Sequence, residues 1–314
     1  MNRRKEAKLL PLKKIRSAIK RYFSCVDKWM LFLCISVSVF GILIQYTLVN
    51  SSLAGTLGVS NRTYLVQIGA SALGIIAAVI ISNIDYHFMA KLWKLYMPVS
   101  VFLVILTFFI GVQVDEYIDD KAWLKLPFGL TFQPAELLKI CLIMSFAYHL
   151  SKVKDQLNQP LNVLLLCLHG GLPVLLIHFQ GDDGTALVVA AIFLVMIFAA
   201  GLDWKYIISG FAVAVAALPI IWQYLFTDTQ RNRFLSLYLE EYADPLGAYI
   251  CYGFFAMFFF QCFVNIGMCV SVIPVIGITL PLLSAGGTSI SITYLGVGLV
   301  LSVHLHRRRN IFTD

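Results

Sequence analysis

Four sets of side chains in this sequence are spaced so that they could do chemistry or shape a site for it. Glu136 and Lys139 stand three apart in an apolar run, so a helix places them on one face. An isolated charge inside hydrocarbon is expensive, so such a pair either satisfies itself and ties helices together or lines a polar cavity. Asp182 and Asp183 precede Gly184 between two apolar runs. Two adjacent carboxylates beside a glycine can hold a divalent cation, or can simply form a solvated acidic turn. Arg231 and Arg233 lie in Gln230-Arg231-Asn232-Arg233-Phe234, between Asp228 and Asp244. Guanidinium forks grip phosphate oxygens in pairs, although surface arginines more commonly touch lipid headgroups. Finally, Pro281, Ser284, Gly286 and Gly287 punctuate two long apolar stretches. Non-helical backbone at that depth is tolerated only inside protein or against a wet cavity.

The elements that must position these residues are membrane helices. Of 314 residues, 59% are hydrophobic and 13% charged, with a mean hydropathy of +0.82. Soluble domains carry roughly 25% charged residues. The expected fold is therefore all-α, a polytopic transmembrane helix bundle. Apolar runs predict about nine spans, near 29–49, 64–82, 95–112, 132–150, 161–179, 185–201, 206–226, 248–277 and 287–305. Residues 1–27 read as a basic cytoplasmic tail, 28–309 as one membrane domain and 310–314 as a short C-terminal end. The net charge of +7 is concentrated between Arg3 and Arg21 and at Arg307, Arg308 and Arg309. Beside a span, such clusters mean inside anchoring on anionic membrane lipid and not nucleic-acid binding. Seven cysteines without a close pair give neither a zinc site nor a disulfide framework.

Lys91, Lys94, Lys152, Lys154 and Lys205 fall in alternate connections, which places the N-terminus in the cytoplasm. The count then conflicts with itself. Nine crossings export the C-terminus, yet its arginine cluster belongs inside. Either 248–277 re-enters as a bent hairpin, or an earlier run is re-entrant, or the C-terminal charges really are exported.

Phe132-Gln133-Pro134-Ala135-Glu136-Leu137-Leu138-Lys139 resembles the F-Q-P-S-E-x-x-K motif of the SEDS family, the bacterial RodA/FtsW-like proteins. Other blocks follow in order. Trp123 fits R-W-x-x-L with Ala122 for Arg, and Gln180-Gly181-Asp182-Asp183-Gly184-Thr185 resembles Q-P-D-x-G-T with Gly for Pro. Residues 230–234 resemble Q-R-x-R-[IV]. Asp244-Pro245-Leu246-Gly247 resembles D-P-L-G-x-G-Y without its second Gly. The resemblance implies a ten-span bundle that polymerises a lipid-linked peptidoglycan precursor on the outer face of the bacterial plasma membrane, beside a class B penicillin-binding protein (a transpeptidase). It implies substrate contacts from Trp123, Gln133, Glu136, Lys139, Asp182, Arg231, Arg233 and Asp244, with a possible divalent cation on Asp182 and Asp183.

One block is missing. The family's H-T-D-F loop, whose Asp is taken as the catalytic acid/base, has no counterpart, since Gly247-Ala248-Tyr249-Ile250 runs straight into an apolar stretch. Glycosyl transfer needs a base for the attacking hydroxyl. The expected function is therefore a SEDS protein of cell-wall synthesis, cell shape or division, with its glycosyltransferase activity impaired. The alternatives are a non-catalytic scaffold for a penicillin-binding partner and a transporter or flippase for the lipid.

Overall fold

Apolar runs close into helices in hydrocarbon because the helix bonds every backbone group within its own segment. The computed structural model describes residues 26–51, 61–113, 121–203, 205–206, 245–269, 273, 277–284 and 287–310. Its helices are α1 (Lys28–Val49), α2 (Asn61–Ser82), α3 (Tyr86–Lys91), α4 (Trp93–Ile110), α5 (Pro134–Val153), α6 (Pro160–Phe179), α7 (Asp183–Ala199), α8 (Pro245–Cys269) and α9 (Gly287–Asn310). Proline opens α5, α6 and α8, where its missing N–H costs nothing and its fixed φ suits the first turn. Asp27 caps α1 by accepting from the Trp29 and Met30 backbone N–H groups at 3.0 and 3.1 Å.

Six of these helices are long and apolar enough to cross a membrane. Large apolar side chains such as Phe32, Phe40, Phe102, Phe109, Leu172 and Phe259 lie exposed along them. Water would not support so much contiguous apolar surface. The chain is a multi-pass helical membrane protein.

The chain forms two compact units, Met1–Tyr86 with Leu282–Asp314, and His87–Pro281. In the first, α9 packs closely on α2. A Cβ placed on Gly298 would stand 2.7 Å from both the Cα and the carbonyl oxygen of Ala78. The Tyr294 hydroxyl bonds the Ser38 hydroxyl at 2.6 Å, which ties α9 to α1. In the second unit, α5 is the centre. Fourteen of its residues are buried, including Glu136 and Lys139.

A two-stranded hairpin, β1 (Leu124–Lys125) and β2 (Thr131–Phe132), leads into α5 around a turn at Pro127–Gly129. These are the strands among the described residues, and the molecule is otherwise helical as expected. The bent-hairpin form of 248–277 is corrected. Residues Pro245–Cys269 form one continuous helix, about 37 Å long at 1.5 Å per residue and sufficient for a full crossing. Its run of Tyr, Phe and Met has no proline or paired glycine to break it. Beyond it, the Asn265 side-chain amide donates to the Ile278 carbonyl at 2.7 Å. The 206–226 run lies outside the described residues except Tyr206.

Candidate functional site

The site is assembled where the start of α5 meets the turn between α6 and α7. Gln133 precedes α5, and Glu136 and Lys139 occupy its first turns. The Lys139 ammonium bonds Glu136 Oε1 at 2.8 Å, with both side chains almost fully buried. That contact uses one of three ammonium donors.

The α6–α7 turn supplies the carboxylate. Gly181 has φ 93° and its N–H bonds the His178 carbonyl at 2.9 Å, so α6 closes on a left-handed residue. Proline cannot take that φ, which is why Gly181, and not the family's Pro, fits here. Asp182 then caps α7, accepting from the Thr185 backbone N–H at 2.9 Å. Its other oxygen accepts from Gln133 Nε2 at 2.7 Å. Two motifs 49 residues apart thus share one buried hydrogen bond. Burial pushes the Asp182 carboxyl above the usual carboxylate range. Hydrogen bonds from Thr185 and the positive charge of Lys139 pull the other way, and Glu136 adds to the rise.

The family model for FtsW, RodA and SpoVE, described as "Cell cycle protein", matches residues 28–249 and 238–309. This chain belongs to the SEDS family. The two matched segments of the SEDS protein overlap across 238–249, so the family pattern is interrupted there. Among curated relatives, a "Probable peptidoglycan glycosyltransferase FtsW" of Geobacter sp. (strain M18) is 30% identical over 228 residues. The match covers 71% of this chain and 59% of that relative, so the chain spans less than two thirds of its length. "Peptidoglycan glycosyltransferase MrdB" of Escherichia coli (strain K12) is 24% identical over 369 residues, covering 90% of this chain and 94% of the relative. An alignment longer than the 314-residue chain means that the relative has positions without a counterpart here. A chain solved under the description "Structural coordination of polymerization and crosslinking by a peptidoglycan synthase complex" superposes with TM-score 0.68 at 25% identity. It covers 92% of this SEDS protein and 99% of that chain.

The other expected site residues are placed as follows. Trp123 sits just before β1, and its carbonyl accepts from the Val112 N–H at 2.8 Å. Asp183 turns away from Asp182. It is largely exposed and meets His178 Nδ1 at 2.5 Å. The two carboxylates therefore do not converge. Among the described residues, no group of three or more His, Cys, Asp or Glu side chains is placed to hold a metal. The expected cation does not fit this pair.

Arg231, Arg233, Asp228, Asp244 and Gly286 lie outside the described residues. Pro281 and Leu282 belong to a turn that precedes α9, and Leu282 takes a left-handed φ of 65°. Its carbonyl lies 3.0 Å from where a Cβ on Gly41 would stand, so glycine in α1 eases this approach. Ser284 follows in the turn and Gly287 opens α9.

Thr107 was not legible as a site residue. The Gln180 side-chain amide donates to the Thr107 hydroxyl, which itself donates to the Val104 carbonyl at 2.7 Å. This fixes Gln180 at the head of the α6–α7 turn. A single hydroxyl inside an apolar run gives no sequence signal of that role.

Proposed function

We propose that this SEDS protein acts in bacterial peptidoglycan synthesis by holding the lipid-linked disaccharide-pentapeptide precursor at the outer face of the plasma membrane, with its own glycosyl transfer impaired. The observation that carries the reading is the Gln133–Asp182 hydrogen bond. It gathers the α5 motif and the α6–α7 motif, with the buried Glu136–Lys139 pair, at one end of the second unit.

The chemistry divides among these residues. Lys139 supplies ammonium donors to a diphosphate, and Glu136 keeps that charge in place when the site is empty. Gln133 and Thr185 hold Asp182 in a fixed orientation. Arg231 and Arg233 supply bidentate contacts to the same diphosphate. Asp182 does not stand at the position of the missing base in the family's pattern. Supporting the impairment is the interruption of the family pattern at 238–249, where the H-T-D-F block would stand. Without that carboxylate, the attacking hydroxyl has no base at the family's position.

The solved synthase complex supports a second reading in the same setting, a non-catalytic subunit docked on a class B penicillin-binding protein. Both chain ends are assigned to the cytoplasm by their basic clusters. The test uses purified protein in lipid nanodiscs with labelled precursor, alone and with a transpeptidase partner. Precursor binding without polymer is expected, with Arg231→Ala/Arg233→Ala weakening it at least tenfold. Polymer from the protein alone would overturn the impairment, and absence of binding would overturn the site. Movement of precursor between leaflets without polymer would assign a flippase instead.

A further inference from the structure

The second unit contains a pair of ionisable side chains that the precursor site does not use. His149 on α5 and His169 on α6 approach through their Nδ1 atoms at 3.1 Å. Their ring centroids are 5.3 Å apart, with an interplanar angle of 29°. The centroid separation exceeds the nitrogen separation by about the radii of two imidazole rings. The nitrogens therefore face each other head-on, nearly in the ring planes, and the rings are not layered. Such an approach needs one donor and one acceptor.

The surrounding bonds decide which is which. Ser145 Oγ donates to the Leu142 carbonyl at 3.3 Å and lies 3.1 Å from His169 Nε2. The serine proton being spent, His169 Nε2–H is the donor to Ser145 Oγ. His169 Nδ1 is then the bare acceptor, and His149 Nδ1–H donates to it. All these contacts are satisfied with both rings neutral and in different tautomers.

We infer that His149 and His169 form a proton-controlled latch that locks α5 to α6 when both rings are neutral and releases them when the pair takes up further protons. Protonating His169 removes the acceptor, placing two N–H groups head to head and adding positive charge between half-buried rings. Among the described residues, the hydrogen-bond partners of the two rings are Ser145 and each other, and the α5–α6 connection beyond them carries Lys154 and Asp155. On α5, the nearest cation is Lys152, turned onto the Tyr148 ring at 5.4 Å. From α4 the contact is the Trp93 ring at 6.4 Å; the ionisable groups of that helix are Lys94 and Tyr96. The single charged side chain of α7 is Asp183 at its far end, α8 contains none, and the other ionisable groups of α6 are Cys167 and His178. The remaining charges on α5, Glu136 and Lys139, belong to the precursor site. Phe146 closes the side with an edge contact to His169 at 5.5 Å.

The latch is about 15 Å along α5 from Lys139, ten residues at 1.5 Å each. Its two helices are those that carry Gln133 and lead into Asp182. Opening it would loosen the Gln133–Asp182 register from the opposite end of the helices. The inference stands on the α5–α6 geometry and does not rest on the precursor reading.

Taking up a further proton costs the pair its Nδ1–Nδ1 hydrogen bond. Stability therefore falls toward acid. Full-length protein in nanodiscs is melted at pH 7.5 and 5.5, as wild type and as His149→Gln, which keeps an amide donor but cannot titrate. The acid drop in Tm is expected to shrink by at least half in the variant, and to persist in the control His178→Gln. Equal drops in wild type and His149→Gln would overturn the latch. Independently of the variant's folding, 15N NMR of histidine-labelled wild type at pH 7.5 is expected to show one Nδ1–H and one Nε2–H tautomer for the pair. Identical tautomers or a charged ring would overturn it. A rise in Tm with micromolar zinc chloride in wild type but not in His149→Gln would replace the proton with a metal.

Discussion

Lys139 is 1% exposed and Glu136 is 5% exposed, so each is the other's condition for being there. Removing one partner of a buried pair leaves an uncompensated charge, which typically costs about 3–5 kcal/mol. Lys139→Ala is expected to lose stability on that scale in a thermal melt. Glu136→Gln/Lys139→Met, which removes both charges, is expected to recover most of it. Precursor binding separates structure from function, since the double variant is expected to fold and yet not bind. Binding equal to wild type would make the pair purely structural. Asp182 gives a prediction with a sign in pH. Burial, the largest cause, raises its carboxyl pKa, so folding favours the protonated form relative to the unfolded chain. That contribution is full below the ordinary carboxylate range and is lost as pH rises through the raised value. Asp182→Asn keeps an acceptor for Thr185 and is expected to show a flatter Tm profile above the carboxylate range, with stability at pH 8 no lower than wild type. At this scale the spacing of Glu136 and Lys139 was legible, because three residues make one helical face. The Gln133–Asp182 bond and the His149–His169 contact were not, because both join separate helices and neither leaves a local pattern.

Helix positions were legible for a simple reason. Hydrocarbon imposes a minimum length and forbids unsatisfied backbone, and the runs at 29–49, 64–82 and 161–179 correspond to α1, α2 and α6 within a few residues. How those helices pack was hidden, because packing is set by small residues whose partners lie far along the chain. Gly298 and Gly171 look alike in sequence and differ in space. A Cβ on Gly298 would collide with α2 backbone at Ala78, whereas a Cβ on Gly171 meets nothing within 4 Å. Backbone cannot swing aside like a side-chain tip. Gly298→Val is therefore expected to force α9 from α2 at a cost of about 1–3 kcal/mol, the usual range for overpacking. Gly171→Ala on α6 gains helix propensity without a clash and is expected to raise stability by up to about 1 kcal/mol. Parallel thermal melts in one detergent check both, and a similar loss in the two variants would contradict the α2–α9 close approach.

Charge and helix order together constrain the topology of the whole molecule. In the second unit, the last turn of α5 carries Lys152 and the α5–α6 connection Lys154 and Asp155, and the segment after α7 carries Lys205 paired with Asp203 at 2.9 Å. The opposite ends carry the β1–β2 hairpin and the Asp182–Asp183 turn. On the proposed orientation, lysine retention on the cytoplasmic side is expected to leave the hairpin and Asp182 outside. The same rule is expected to hold Arg307–Arg309 inside, although the nine runs of the sequence argue for export. Charge acts directly during insertion, whereas a count of apolar runs only lists candidates, so the charges are expected to prevail. Cys34, Cys141, Cys167, Cys262 and Cys269 are free thiols, so a cysteine-free background removes no disulfide at these positions. In that background, Lys125→Cys is expected to react with a membrane-impermeant maleimide on intact spheroplasts. Lys154→Cys and a cysteine replacing Arg308 are expected to react only after permeabilisation. Labelling at position 308 from outside would mean an odd number of crossings and an exported basic end. Protection there would mean that one of the nine runs does not cross.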